Sequence, residues 1–96
     1  MEHIFHPAAV RDAREIERQY SEISDELSDR FWNELNEGID AILENPGGQH
    51  FDPSGFRRRN LKIFPYHILY EVRSNLVRFM VIRHHHRKPS YGLRRR

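Results

Sequence analysis

The stretch from Arg57 to Ile82 reads RRRNLKIFPYHILYEVRSNLVRFMVI, and its rhythm is two. Arg59, Leu61 and Ile63 alternate with Asn60 and Lys62; beyond Phe64-Pro65, Ile68, Tyr70 and Val72 alternate with His67, Leu69, Glu71 and Arg73. Successive side chains of a strand point to opposite faces, so this pattern predicts two strands, each with one face towards a core. Ser74-Asn75 fits a two-residue turn, although the favoured glycine is missing. Leu76 to Ile82 is nearly all apolar, as expected of a strand covered on both faces and therefore central.

Upstream of this stretch the period lengthens. Gly47 to Gly55 is rich in turn residues and reads as a loop, and Asn45-Pro46-Gly47-Gly48 ends whatever precedes it. Leu27, Phe31, Leu35, Ile39, Ile42 and Leu43 recur at helical spacing behind a Ser24 or Asp25 cap. Ala9, Ala13, Ile16, Tyr20 and Ile23 make a second stripe, with Arg11, Asp12, Arg14, Glu15, Glu17 and Arg18 elsewhere; Pro7 suits its first helical position. His3-Ile4-Phe5-His6 reads as a short strand. The expectation is an α+β domain in the order β-α-α-β-β-β. An antiparallel helical hairpin packs on one face of a mainly antiparallel four-stranded sheet, and the N-terminal strand lies at or near an edge. Residues 1–96 form a single domain, with 91–96 expected as a disordered basic tail.

Charge divides along the same boundary. Residues 1–56 carry thirteen Asp/Glu against Arg11, Arg14, Arg18 and Arg30, whereas residues 57–96 carry twelve Arg/Lys against Glu71 alone. A molecule with one cationic side suits an acidic protein segment or nucleic acid. The absence of cysteine excludes disulfides and thiolate zinc sites. With no apolar run of ~20 residues and no signal-like start, the cytoplasm is the expected location.

Several joints of this pattern resemble the RelE/ParE superfamily of bacterial toxins. Phe5-His6-Pro7-Ala8-Ala9 looks like its strand-to-helix entry, Asp29-Arg30-Phe31 with Leu35 like its second helix, and Glu44-Asn45-Pro46 like the stop that follows. Arg57-Arg58 through Phe64-Pro65-Tyr66 and Tyr70 is similar to its basic strand and "FPY…Y" segment; His84, Arg87, Pro89 and Tyr91 are similar to its "H-x-x-R-x-P-x-Y/W" ending. The resemblance implies the toxin of a type II toxin–antitoxin pair, silenced by a cognate antitoxin that wraps it, in a hetero-oligomer or as a dimer. Its long acidic hairpin looks more like the ParE side, whose members block DNA gyrase and are not known as nucleases, so that enzymatic activity is not the leading expectation. The alternatives are a RelE-like, ribosome-dependent mRNA endonuclease and a non-toxic relative that only binds a partner.

Metal-independent RNA cleavage needs an acid, a base and cations on the phosphate. His84, Arg87, Tyr91 and Arg83 are the candidates for those roles: His84 as acid or base, the arginines with Lys62 as phosphate clamps, and Tyr91 as stacking platform or proton donor. Strand alternation sends His85 away from His84 and His86, so the histidine run is not expected to hold a metal, and no cofactor is called for. Arg57, Arg58, Arg59, Lys62 and Lys88 are candidates for target or antitoxin contact, with Arg58, Asn60 and Lys62 on one strand face. The same charges would also guard an exposed edge strand. Trp32 falls off the apolar stripe and marks a further contact candidate, whereas Phe64, Tyr66, Tyr70 and Phe79 are expected in the core.

Overall fold

A computed structural model describes residues 1–96. Strand β1 (Glu2–Phe5) leads into helix α1 (Pro7–Ser21), a tight turn and helix α2 (Asp25–Glu44); β2 (Arg57–Asn60), β3 (Tyr66–Arg73) and β4 (Leu76–His84) follow. Pro7 opens α1 where its missing N–H costs nothing, and His6 Nδ1 accepts the Ala8 N–H at 3.0 Å as a cap. Ser24 caps α2 through the Leu27 N–H at 3.0 Å, with Asp25 and Glu26 placed to favour the positive end of the helix dipole. Ile23, expected on the α1 stripe, instead sits in the turn between the helices and is 73% exposed. The helix stops before it because the Ile23 and Ser24 N–H groups both turn back to the Tyr20 carbonyl.

The sheet runs β1-β4-β3-β2, with β1 parallel to β4 and the other pairs antiparallel. β4 is thus central and β1 an edge, as the apolar run and the short N-terminal strand imply. Ser74 takes a φ of 54° in the β3–β4 turn, a left-handed conformation that glycine would adopt more easily. Opposite Leu69 and Tyr70, β4 carries one extra residue, Met80, and the ladder shifts there.

One face of the sheet receives the helices. Phe31, Leu35 and Ile42 of α2 pack with Ile68, Tyr70, Val77 and Phe79, and a ring cluster of Tyr20, Phe31, Phe64 and Tyr66 closes one end. At Gly38 a Cβ would stand 3.3 Å from Ile68 Cδ1, so α2 lies close against the sheet. Strand β2 is shorter than the alternation suggests, ending at Asn60. The Glu34 carboxylate on α2 accepts the Ile63 and Phe64 N–H groups at 3.0–3.1 Å, drawing that segment off the sheet edge. Lys62 is therefore no longer in a strand row with Arg58 and Asn60.

The opposite face is covered by two irregular segments. Leu69, Met80 and Val81 form a small second cluster with Phe56 and Tyr91. Gly92 lies so close to Val81 that a Cβ there would come within 2.7 Å of a Val81 methyl. The basic C-terminal segment, expected from sequence to be disordered, is placed in turns against the sheet, with Tyr91 and Arg95 both tied to Asp12.

Candidate functional site

Strand β1 ends at Phe5, leaving the adjacent edge of β4 without a neighbour beyond Phe79. Asp12, on the first turns of α1, takes over. Its buried carboxylate accepts the Ile82 N–H at 3.0 Å, the Tyr91 hydroxyl at 2.7 Å, and both terminal nitrogens of Arg95 at 2.6 and 3.0 Å. Arg95 Nη1 also donates to the Met80 carbonyl at 2.9 Å. The edge that a fifth strand would have satisfied is closed by one carboxylate and one guanidinium. Burial, the largest single influence, would lower the pKa of Arg95, but the hydrogen bond and charge of Asp12 together with Tyr91 outweigh it and raise the pKa.

Under the second face lies a buried polar layer. Arg83 donates from Nε to His67 Nε2 at 2.9 Å and from Nη1 to the Pro89 carbonyl at 2.7 Å, and its Nη2 stands 3.7 Å from Asp52. Guanidinium nitrogens only donate, so His67 accepts at Nε2 and carries its proton on Nδ1, which faces His85 Nδ1 at 2.9 Å. The two rings stack with an interplanar angle of 5°. Burial, reinforced by Arg58, Arg83 and His85, pushes the His67 pKa down to about 3, and burial with Arg58 lowers that of His85. For Asp52, burial opposes ionisation, yet the Ser54 hydrogen bonds, Arg58 at 3.2 Å and Arg83 win and lower its pKa.

Between α1 and the arm formed by residues 87–95 is a cleft of about 570 Å³. Its lining includes all four residues named for acid–base work, Arg83, His84, Arg87 and Tyr91, with Arg11 on the facing helix. The details differ from the roles expected of them. The Tyr91 hydroxyl is bound to Asp12 and its ring is covered by Arg87, whose guanidinium carbon lies 4.2 Å from the ring centroid. His84 Nδ1 accepts the His86 N–H at 3.0 Å, and its ring packs edge-on to Tyr66. Arg83 touches the cleft but is otherwise buried, its guanidinium engaged by His67 and the Pro89 carbonyl. His85 turns to the other face, beside His67, so the three histidines do not converge.

The remaining contact candidates are scattered. Arg57 and Arg59 share the helix side of β2 with Tyr70 and Ile68, while Arg58 lies on the other side, bound to Asp52 and Asn60. Arg57 binds the Gln49 carbonyl and stacks on Phe51. Lys62 and Lys88 are exposed outside any strand. Trp32 packs against the core and donates from its indole to Glu17 across the hairpin, which leaves it half-buried. Asp12, Asp52 and His67 carry no local sign of their roles, except that Asp12 lies three residues after Ala9 and four before Ile16, on the apolar face of α1.

Residues 3–89 match the family model described as ParE toxin of type II toxin-antitoxin system, parDE. This chain belongs to the ParE toxin family. The match spans β1 through the polar layer and the His84–Arg87 wall of the cleft. No individual curated protein matches the chain. Membership makes this ParE-family chain the toxin of a toxin–antitoxin pair and implies an antitoxin partner. None of its helices is long and apolar enough to cross a membrane.

Proposed function

We propose that this ParE-family toxin arrests growth by blocking DNA gyrase through protein contacts, without catalysis, and that its antitoxin neutralises it by direct binding. The observation that most favours a protein target over RNA is the state of Tyr91. A ribosome-dependent nuclease would use such a residue to stack a base or pass a proton; here its hydroxyl is held by Asp12 and its ring by Arg87. The cationic surface around it can still meet an acidic protein.

A purified chain added to a supercoiling reaction is expected to inhibit gyrase while leaving ribosome-bound mRNA intact in a reconstituted translation mixture. Cleavage of mRNA in the ribosomal A site would sink the proposal. The nuclease reading keeps one point in its favour, the convergence of His84 and Arg87 in the cleft. It requires His84→Ala to lower cleavage by roughly 10²–10⁴-fold, whereas the gyrase reading expects that variant to keep its effect on supercoiling. Normal growth of cells in which the folded chain accumulates would leave only the binding role.

A further inference from the structure

We infer that the cleft between α1 and the C-terminal arm is a receptor for acidic side chains, and that its occupant is a carboxylate-bearing segment of the antitoxin. The inference rests on the toxin–antitoxin reading above and gives that partner a place on the molecule.

Charge accounting on the cleft walls leads there. The two carboxylates that line it are already matched. Asp12 is saturated by Ile82, Tyr91 and Arg95, and Glu15 is bound by Arg18 at 2.6 Å and by Gln19 at 3.3 Å. Arg11 and Arg87 are different. One stands on the α1 wall and the other on the turn after β4; both are exposed, and neither is paired with a carboxylate. The charge left over in the cleft is positive. Guanidinium groups present planar forks of donors that match carboxylates two bonds at a time, so an acidic side chain entering here would find partners on both walls.

Single-stranded nucleic acid is the competing anion, and the cleft suits it less. Binding of that kind combines backbone charge with aromatic faces on which bases stack. Tyr91 already carries Arg87 at 4.2 Å and Arg95 at 5.1 Å, and Tyr66 is buried with its ring edge-on to His84. Both tyrosine faces of the cleft are thus engaged, leaving only the smaller imidazoles of His84 and His86 beside the free guanidinium groups, an arrangement that suits a peptide carboxylate better than a base.

The test titrates the purified chain by calorimetry with octaglutamate and, in parallel, with octauridylate, both at low salt. Octaglutamate is expected to bind saturably, to lose roughly tenfold in affinity with Arg11→Ala or Arg87→Ala, and to be unaffected by Arg73→Ala at the distant β3–β4 turn. Because Arg87 also stacks on Tyr91, Arg87→Gln is measured beside it, with circular dichroism confirming the fold of each variant. Absence of octaglutamate binding, or binding that ignores all three cleft substitutions, overturns the inference. So does tighter binding of octauridylate with the same arginine dependence, which would give the cleft to RNA. The toxin reading is judged separately, by growth arrest on expression and its relief by the product of the adjacent gene. A chain that arrests growth yet ignores octaglutamate refutes the cleft assignment alone.

Discussion

On the face of the sheet that meets the helices, Ile68, Tyr70, Val77 and Phe79 pack against Phe31, Leu35 and Ile42 in an apolar, largely aromatic layer. On the opposite face, Leu69 and Val81 lie beneath two segments without regular structure, and His67, Arg83 and Asp52 are buried with them. The difference follows from what each cover brings. A helix arrives with its backbone bonds satisfied and needs only an apolar stripe to dock. Irregular chain arrives with unpaired carbonyls, such as that of Pro89, and it covers the part of β4 that β1 leaves unpaired, where the Met80 carbonyl lies; both need buried donors. Arg83 and Arg95 supply them, and Asp52 and Asp12 balance the charge.

Substitutions on the two faces should therefore fail in different ways. The largest effect is expected from Phe31→Ala, which opens a cavity in the middle of the ring cluster. A loss of about 3–5 kcal/mol, read by chemical denaturation, would leave a domain of this size close to unfolded. Next comes Asp12→Ala, which strands Arg95 and the Ile82 N–H. About 3 kcal/mol is expected, accompanied by faster trypsin cleavage within residues 87–96 before global unfolding, a local signature that Phe31→Ala lacks.

The polar layer also makes one face sensitive to acid. His67 has a native pKa of about 3 against an unfolded value near 6.5, so below pH ~6.5 the unfolded chain takes up a proton that the native chain refuses. Stability is fully present above that pH and falls as the pH drops towards 3, with His85 acting in the same direction. Between pH 7 and 5.5 the loss from His67 alone is about 1 kcal/mol, measurable as a shift in urea midpoint, and His67→Gln should flatten the slope. The smallest effect tests the turn that joins the central strands. Ser74→Gly should raise stability by roughly 0.5 kcal/mol, because glycine meets the positive φ without steric cost; no change in the denaturation midpoint would count against strain there.

The helix-covered half of this comparison was legible in the sequence. Periods of two and near 3.6, the Ser24 cap and the apolar run at Leu76–Ile82 specify the elements, their order and the central strand, because those signals are local. The loop-covered half was not. Asp12 stands out only by its place on the apolar face of α1, and what it serves is not visible until Tyr91 and Arg95, far along the chain, arrive beside it. Arg83 has the spacing of a phosphate clamp but turns inward to serve Pro89 and His67. Lys62 leaves the strand row because of Glu34, on a different element. The cleft was legible in part. His84, Arg87 and Tyr91 follow one another at short spacing and do converge, whereas the bonds that commit Tyr91 come from α1 and could not be read locally.

The claim on which this comparison turns is that the cationic arm is a fixed part of the domain, held by Asp12, before any partner binds. Backbone ¹⁵N relaxation on the free chain tests it most directly. Order parameters for Tyr91, Gly92 and Leu93 are expected near the ~0.85 of rigid backbone, matching β4, and should fall in Asp12→Asn while the helices stay unchanged. Values below ~0.6 for those residues in the unsubstituted chain would contradict the account.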